Sequence, residues 1–250
     1  MPDRFTKRTA PGAALYEAAG LRWLSAAPDG ATVVGVLAAS EREIVLPRLV
    51  PGRPTAEAAA EFGRGLARTH DAGASAFGAP PEGWDGGGWI GPEPLMLTPT
   101  ACWGTFYAEQ RCRPFAHTAY AAGGLDRDGL AVVERACQRI TEGMYDDDAP
   151  PARIHGDLWS GNVFVAESGF VLIDPAAHGG HRLTDLAMLA LFGAPYLEVI
   201  HAAYASASPW LPDGWRDLLA LHQLHPLLVH AAIFGGSYGA QAVRVARTVL

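Results

Sequence analysis

The run Ile154-His155-Gly156-Asp157-Leu158-Trp159-Ser160-Gly161-Asn162, followed by Val163-Phe164-Val165, Glu167-Ser168-Gly169, Phe170-Val171-Leu172-Ile173 and Asp174, decides how this chain is read. Two short apolar runs around a polar turn containing glycine predict a β-hairpin. The turn between Asp157 and Asn162 lets both side chains face one point. The hairpin then returns the chain and sets Asp174 beside Asn162. Three oxygen-bearing side chains thus converge through local spacing alone. Transfer of a γ-phosphoryl group asks for this kind of arrangement, because it depends on an acceptor hydroxyl held in line and on negative charge neutralised by metal. In that reading Asp157 accepts or orients the acceptor's proton, and Asn162 and Asp174 supply oxygen ligands to Mg²⁺, a hard cation. His155 is read as a structural hydrogen-bonding residue. Singly, such residues are the common cappers of turns; their combination with the hairpin favours chemistry.

Working outward, the chain before this run divides by composition. Ala13 to Ala27 has apolar residues near helical spacing, and Thr32 to Ala38 and Glu43 to Leu46 read as two strands joined by a polar link. Arg48 to Pro54, with two prolines and a glycine, reads as a linker between lobes. Ala56 to His70 is a helix pattern with Phe62, Leu66 and His70 on one face. Residues 73–100 are rich in glycine and proline and read as a long loop, functional or mobile. Helices are predicted over Thr100–Ala122 and Asp126–Met144, and after the strand-like region 153–173 over about 183–193, 196–206, 213–232 and 238–249. The expected order is a small mixed lobe, residues 1–50, and a larger helical lobe, residues 51–250, with a cleft between them where small-molecule sites are often found.

The bulk properties exclude several classes. The chain has 250 residues, 49% of them hydrophobic, enough for a sizeable core. Its net charge of −7 and the absence of a basic run leave no electrostatic footprint for nucleic acid. Cys102, Cys112 and Cys137 have no metal-ligand spacing and read as free thiols in a reducing cytoplasm. No apolar leader and no stretch of about 20 residues fit to span a membrane is present. His178 and His181 lack a third ligand, so they read as polar contacts rather than a metal site. Asp146-Asp147-Asp148 reads as a solvated loop. Trp84, Trp89 and Trp103 fit either core or a substrate wall, and composition says nothing of oligomeric state.

His155 to Asn162 with Asp174-Pro175 resembles the signature of the fructosamine (ketosamine) kinases, within the wider aminoglycoside phosphotransferase and protein-kinase-like superfamily. Trp159-Ser160-Gly161 distinguishes it from protein kinases. Phe5-Thr6-Lys7 resembles the strand carrying the phosphate-binding lysine, and Glu17-Ala18-Ala19-Gly20-Leu21 the helix whose glutamate pairs with it. Ile90-Gly91-Pro92, Phe106-Tyr107-Ala108-Glu109, Arg113-Pro114 and Phe234-Gly235-Gly236-Ser237-Tyr238-Gly239 extend the likeness over nearly the whole chain. The resemblance implies an α+β, bilobal protein-kinase-like fold, ATP between the lobes with Leu46 and Leu49 near the adenine, and Mg²⁺. It implies phosphorylation of the 3-hydroxyl of a sugar attached to an amine, a step associated with protein deglycation. By the same resemblance Asp157 is the base, Trp159 contacts the sugar, and Asp185 anchors the backbone of the catalytic loop.

The family has two strands and a glycine-containing loop before the lysine strand, whereas Lys7 here stands almost at the first residue. Phe5-Thr6-Lys7 is therefore expected as an edge strand without its usual partners. Three readings stay open: a start at the wrong codon, a truncated form, or a protein lacking the loop that binds nucleotide weakly or not at all. Two functional alternatives follow: a kinase for another small hydroxylated amine, aminoglycoside or choline-like, and a catalytically silent pseudokinase.

Overall fold

The computed structural model describes residues 3–250. Its first layer is a small antiparallel sheet. Strand β1 (Arg4–Arg8) pairs along its whole length with β3 (Glu43–Pro47), so that Lys7 stands opposite Ile44, and the two-residue β2 (Ala38–Ala39) lies on the far side of β3. As expected, the Lys7 strand is an edge strand; its one pairing, with β3, runs along its whole length. Helix α1 (Ala13–Ser25) starts after Gly12, whose φ of 82° a side chain would strain, and packs Ala14, Ala18 and Leu21 onto Ile44 and Leu46.

The predicted strand Thr32–Ala38 does not form. Its backbone is divided between two partners. Thr32 and Val34 bond to Leu172, while Leu37 bonds to Val45. With Gly35 between, neither ladder gains the length that cooperative pairing needs. The linker at Arg48–Pro54 runs beside a hairpin formed by β7 (Val163–Ala166) and β8 (Gly169–Leu172), where Gly52 and Glu167 bond to Val165 and Val50. A Cβ on Gly52 would stand 2.3 Å from the Ala166 carbonyl oxygen, so the approach requires glycine.

The rest is mainly helical. Helix α2 (Ala56–Asp71) is capped by Thr55, whose hydroxyl accepts from Ala58 N at 3.2 Å. The long glycine-rich loop contains an unpredicted hairpin, β4 (Gly88–Ile90) with β5 (Glu93–Leu95). The helix expected over Thr100–Ala122 begins as α3 (Trp103–Phe106), widens into a π-helical turn at Tyr107–Cys112, and continues as α4 (Arg113–Ala121). Helix α5 (Arg127–Thr141) is capped by Asp126, which accepts from Gly129 N at 2.7 Å. Strand β6 (Ala152–Ile154) pairs with β9 (His178–Gly180). Helices α6 (Arg182–Phe192) and α7 (Leu197–Ala207) follow. The helix predicted over 213–232 is two: α8 (Trp215–His222) and α9 (Leu224–Phe234). Pro226 is the reason, since it has no N–H to give and its ring conflicts with the carbonyl four residues back, at His222. Helix α10 (Tyr238–Thr248) closes the chain.

Helix α2 crosses α7 closely because Gly63 lies in the contact, where an added Cβ would stand 2.4 Å from the Ile200 carbonyl oxygen. Gly63→Ala is therefore expected to destabilise the fold by about 1–3 kcal/mol, read as a lower denaturation midpoint; an unchanged midpoint would show that the crossing can relax. Phe62, Leu66 and Leu158 share the core beneath this crossing with Leu172 and Leu186, so the run His155–Asn162 is rooted in the helical core. No helix among the described residues is long and apolar enough to cross a membrane.

Candidate active site

The run His155–Asn162 leaves the end of β6 and is held from behind. Asp185, in the first turn of α6 and almost fully buried, accepts from the backbone N–H of His155 at 2.7 Å and of Gly156 at 3.0 Å. His70 at the end of α2 reaches the same carboxylate at 3.1 Å, and its other ring nitrogen meets the Tyr204 hydroxyl at 2.7 Å. Burial works to raise the Asp185 carboxyl, but the His70 hydrogen bond and the neighbouring donors outweigh it and hold it below its ordinary range. Gly156 has a φ of 82°, which turns the chain sharply into Asp157. His155 accepts from Asp157 N–H at Nδ1 (3.3 Å), so Nε2 carries the proton donated to the Ile173 carbonyl at 2.8 Å. Burial keeps this ring below its ordinary pKa, and it ties the run His155–Asn162 to the end of the hairpin.

Leu158 is fully buried, and Asp157 and Trp159 on either side of it line a cavity of about 500 Å³. Asn162 closes a 3₁₀ turn (Ser160–Asn162) and donates its amide to the Asp157 carboxylate at 2.9 Å and to the Asp157 carbonyl at 2.8 Å. Both donors of the amide are thus directed at Asp157, which leaves the amide oxygen as the group Asn162 can offer to a ligand. Asp174 has a φ of 51°, a backbone state uncommon for a residue with a side chain. Lys7 Nζ lies 2.9 Å from both Glu17 Oε2 and Asp174 Oδ1. The structure thus brings Lys7, Glu17, Asp157, Asn162 and Asp174 to one place from β1, α1, the catalytic run and the residue after β8.

The electrostatics follow from partial burial of several like charges. Burial pushes the Asp157 carboxyl up to about 7; Asp185 and Asp174 add to this, and Asn162 and Lys7 oppose it. Burial also pushes Glu17 upward, with Asp174 repelling and Lys7 attracting, and Glu17 Oε1 is buried without a partner. Burial disfavours the charged Lys7 amine, but Glu17 and Asp174 outweigh it and hold the amine above its ordinary range.

A second cavity of about 400 Å³ is lined by apolar groups: Phe5, Val34, Leu46, Leu49, Phe164 and Ile173 among them. Asp174 lines both cavities and stands at their junction. Trp159, 40% exposed, packs edge-on against Phe192 at 6.4 Å.

Of the remaining sequence expectations, Trp89 lines the first cavity and, with Trp84, leans on Tyr16 at about 6 Å, whereas Trp103 lies in the core. His181 meets Asp147 at 3.2 Å, and Asp146 accepts from Gly104 N, so the aspartate loop is pinned rather than fully solvated. Sequence reasoning misses Tyr16, which lines the cavity beside Glu17 and donates to the Ala177 carbonyl at 2.9 Å. Its position next to Glu17 on α1 is the only signal that could have drawn notice.

Residues 16–250 match the family model described as fructosamine kinase. A probable ketoamine kinase of Synechocystis sp. is 34% identical over 208 residues, covering 83% of this chain and 67% of that protein. The ketosamine-3-kinase of Mus musculus is 34% identical over 147 residues, covering 59% of this chain and 47% of that protein. The chain thus spans from about half to two-thirds of these two relatives' lengths. A crystal structure from Thermobifida fusca YX-ER1, provisionally assigned as a fructosamine-3-kinase, superposes with a TM-score of 0.91 at 44% identity, covering 99% of this chain and 85% of that one. The aminoglycoside phosphotransferase APH(4)-Ia, at 16% identity and a TM-score of 0.56 over 98% of this chain and 86% of its own, shares the protein-kinase-like fold.

Proposed function

This chain belongs to the fructosamine kinase family, and from that premise we propose that it transfers the γ-phosphoryl group of ATP to a sugar hydroxyl of a ketosamine, a fructosamine or ribulosamine. The observation that carries the reading is the position of Asp174 at the junction of two cavities, one carrying the charged side chains of Lys7, Glu17 and Asp157 with Asn162 beside them, the other lined mainly by apolar side chains. In this reading the small lobe is residues 1–50 and the helical lobe 51–250. The adenine occupies the apolar cavity against Leu46 and Leu49, and the ketosamine occupies the one carrying the charged side chains, against Trp159.

The donor set fits Mg²⁺. Asn162 and Asp174 offer hard oxygen atoms, and no group of three or more His, Cys, Asp or Glu among the described residues could hold a metal unaided. A site that depends on substrate phosphates to complete it is the usual form for this ion. Bound there, Mg²⁺ supplies charge neutralisation for the phosphate oxygens. The chain's own residues do the rest. Lys7 passes from Asp174 to the phosphates while Glu17 keeps it oriented. Asp157, with its carboxyl pushed to about 7, takes up the acceptor's proton near neutral pH. Asp185 holds the backbone N–H groups of His155 and Gly156, and the His155 ring holds that of Asp157, so the base is placed before substrate arrives.

A panel of acceptors tests the substrate class. With MgATP, the protein is expected to phosphorylate fructosyl-lysine and ribosyl-lysine and to leave kanamycin and choline untouched, as read by ADP release and product mass. Turnover of kanamycin or choline without the ketosamines would assign it to another small-amine kinase. MgATP binding without turnover of any acceptor would favour the silent form.

A further inference from the structure

Arg111 lies in the π-helical turn and is 1% exposed, yet it takes part in no ion pair among the described residues, and its Nη2 has no hydrogen-bond partner. Burial pulls the guanidinium below its ordinary range, so the position is energetically costly. A π-turn inside a helix is also a strained feature, often kept for a functional reason. What Arg111 does touch is informative. Its Nη1 donates to the Gln110 carbonyl at 3.0 Å and to the Met96 carbonyl at 2.8 Å, just beyond β5 of the hairpin whose residues Trp89, Gly91 and Pro92 line the cavity that carries the charged side chains. Its Nε donates to His178 Nε2 at 3.4 Å.

That second contact fixes the chemistry of His178. The ring's Nδ1 lies 2.7 Å from the Ala176 carbonyl, which can only accept, so Nδ1 carries the proton and Nε2 is free to accept from Arg111. Burial first, and then the Arg111 charge, keep the ring neutral. The neutral ring packs on Gly156, where an added Cβ would stand 3.0 Å from His178 Nδ1 and 2.3 Å from the Ala176 carbonyl oxygen. Ala176 itself lines the cavity, and the Tyr16 hydroxyl holds the next carbonyl, that of Ala177. Arg111 therefore ties together the segments behind two walls of the charged cavity, the β4–β5 hairpin and the stretch after Asp174, and braces the glycine before Asp157. Its hydrogen-bond partners line neither cavity, but residues of the segments they adjoin, Trp89, Gly91, Pro92 and Ala176, line the charged one and not the apolar one.

We propose that Arg111, acting through His178, is a positioning residue that sets the acceptor side of the active site. The inference rests on the ketosamine kinase reading for its kinetic test, and on geometry alone for its second test. Arg111→Met keeps the volume and removes the buried unpaired cation. The thermal midpoint should stay level or rise, while the KM for fructosyl-lysine increases about tenfold and the KM for MgATP stays within about twofold. In the same variant, amide hydrogen exchange should quicken in peptides covering 88–96 and 175–180. Arg111→Lys, a point donor without the fork, should recover only part of either effect. Unchanged exchange in both segments, or equal changes in the two KM values, overturns the proposal. If the unaltered protein does not turn over fructosyl-lysine, the substrate reading fails, and the exchange result still decides the role of Arg111.

Discussion

Asp157→Asn is expected to lower kcat by about 10²–10⁴-fold, the range for loss of a positioned general base, with the fold intact. The unaltered protein should show kcat/KM for the ketosamine rising with pH through about 7 and then levelling, because Asp157 must be deprotonated and burial has pushed its carboxyl to about 7. The residual rate of the variant should lack that limb. Stability should move the other way. A carboxyl whose pKa is higher folded than unfolded binds more protons in the native state, so its contribution is present at low pH and is lost as pH rises through about 7. Asp157→Asn should therefore match the parent near pH 4 and exceed it at pH 8, by on the order of 2 kcal/mol after allowance for solvent screening. Full turnover in the variant, or a pH profile unchanged by it, would remove Asp157 from the mechanism.

Asp185→Asn should have the opposite signature, with large losses in both stability and rate. The two carboxylate oxygens accept from His155 N, Gly156 N and His70 at 2.7–3.1 Å. An amide replaces one acceptor with a donor and leaves at least one buried N–H unsatisfied, at a cost of about 3 kcal/mol. For a chain of this size that is a fall in midpoint of roughly 6–12 °C. Because the released backbone belongs to Gly156 and His155, kcat should fall with it, by about ten- to a hundredfold. The Asp185 pKa is depressed in the fold, so its stabilisation is present above the unfolded value and is lost as pH falls through the folded one. The gap between parent and variant should narrow in acid. Denaturation midpoints at pH 2.5, below the unfolded carboxyl value, and at pH 7.5 check both statements; a gap that widens in acid contradicts them.

The parts of the site legible in the sequence are those built by short-range geometry. Asp157, Asn162 and Asp174 converge because a turn and a tight hairpin leave the chain few alternatives. The Lys7–Glu17 pair is legible only through resemblance, since a lysine near a terminus and a glutamate on a helix are ordinarily solvated. Arg111 is hidden for a related reason. Helical arginines default to the surface, and only the π-turn and the surrounding aromatic packing, including Phe106 at 4.5 Å, draw this one inward. The β6–β9 pairing is equally opaque: His178-Gly179-Gly180 has little strand propensity, and pairs because Ile154 lies across it and Arg111 holds its first residue. The failed strand at Thr32–Ala38 is the converse. It has strand composition but divides its hydrogen bonds between two sheets.

In the proposed complex the cavities meeting at Asp174 hold ATP and a ketosamine with a sugar hydroxyl directed at Asp157. The most direct measurement is to incubate the protein with MgATP and fructosyl-lysine and to locate any transferred phosphate by mass and by ³¹P–¹H correlation. A monoester on the 3-hydroxyl of the sugar is expected, formed with one ADP per product and abolished in Asp157→Asn. Phosphate on the amine portion, or stoichiometric ADP release with the acceptor unchanged, would contradict it.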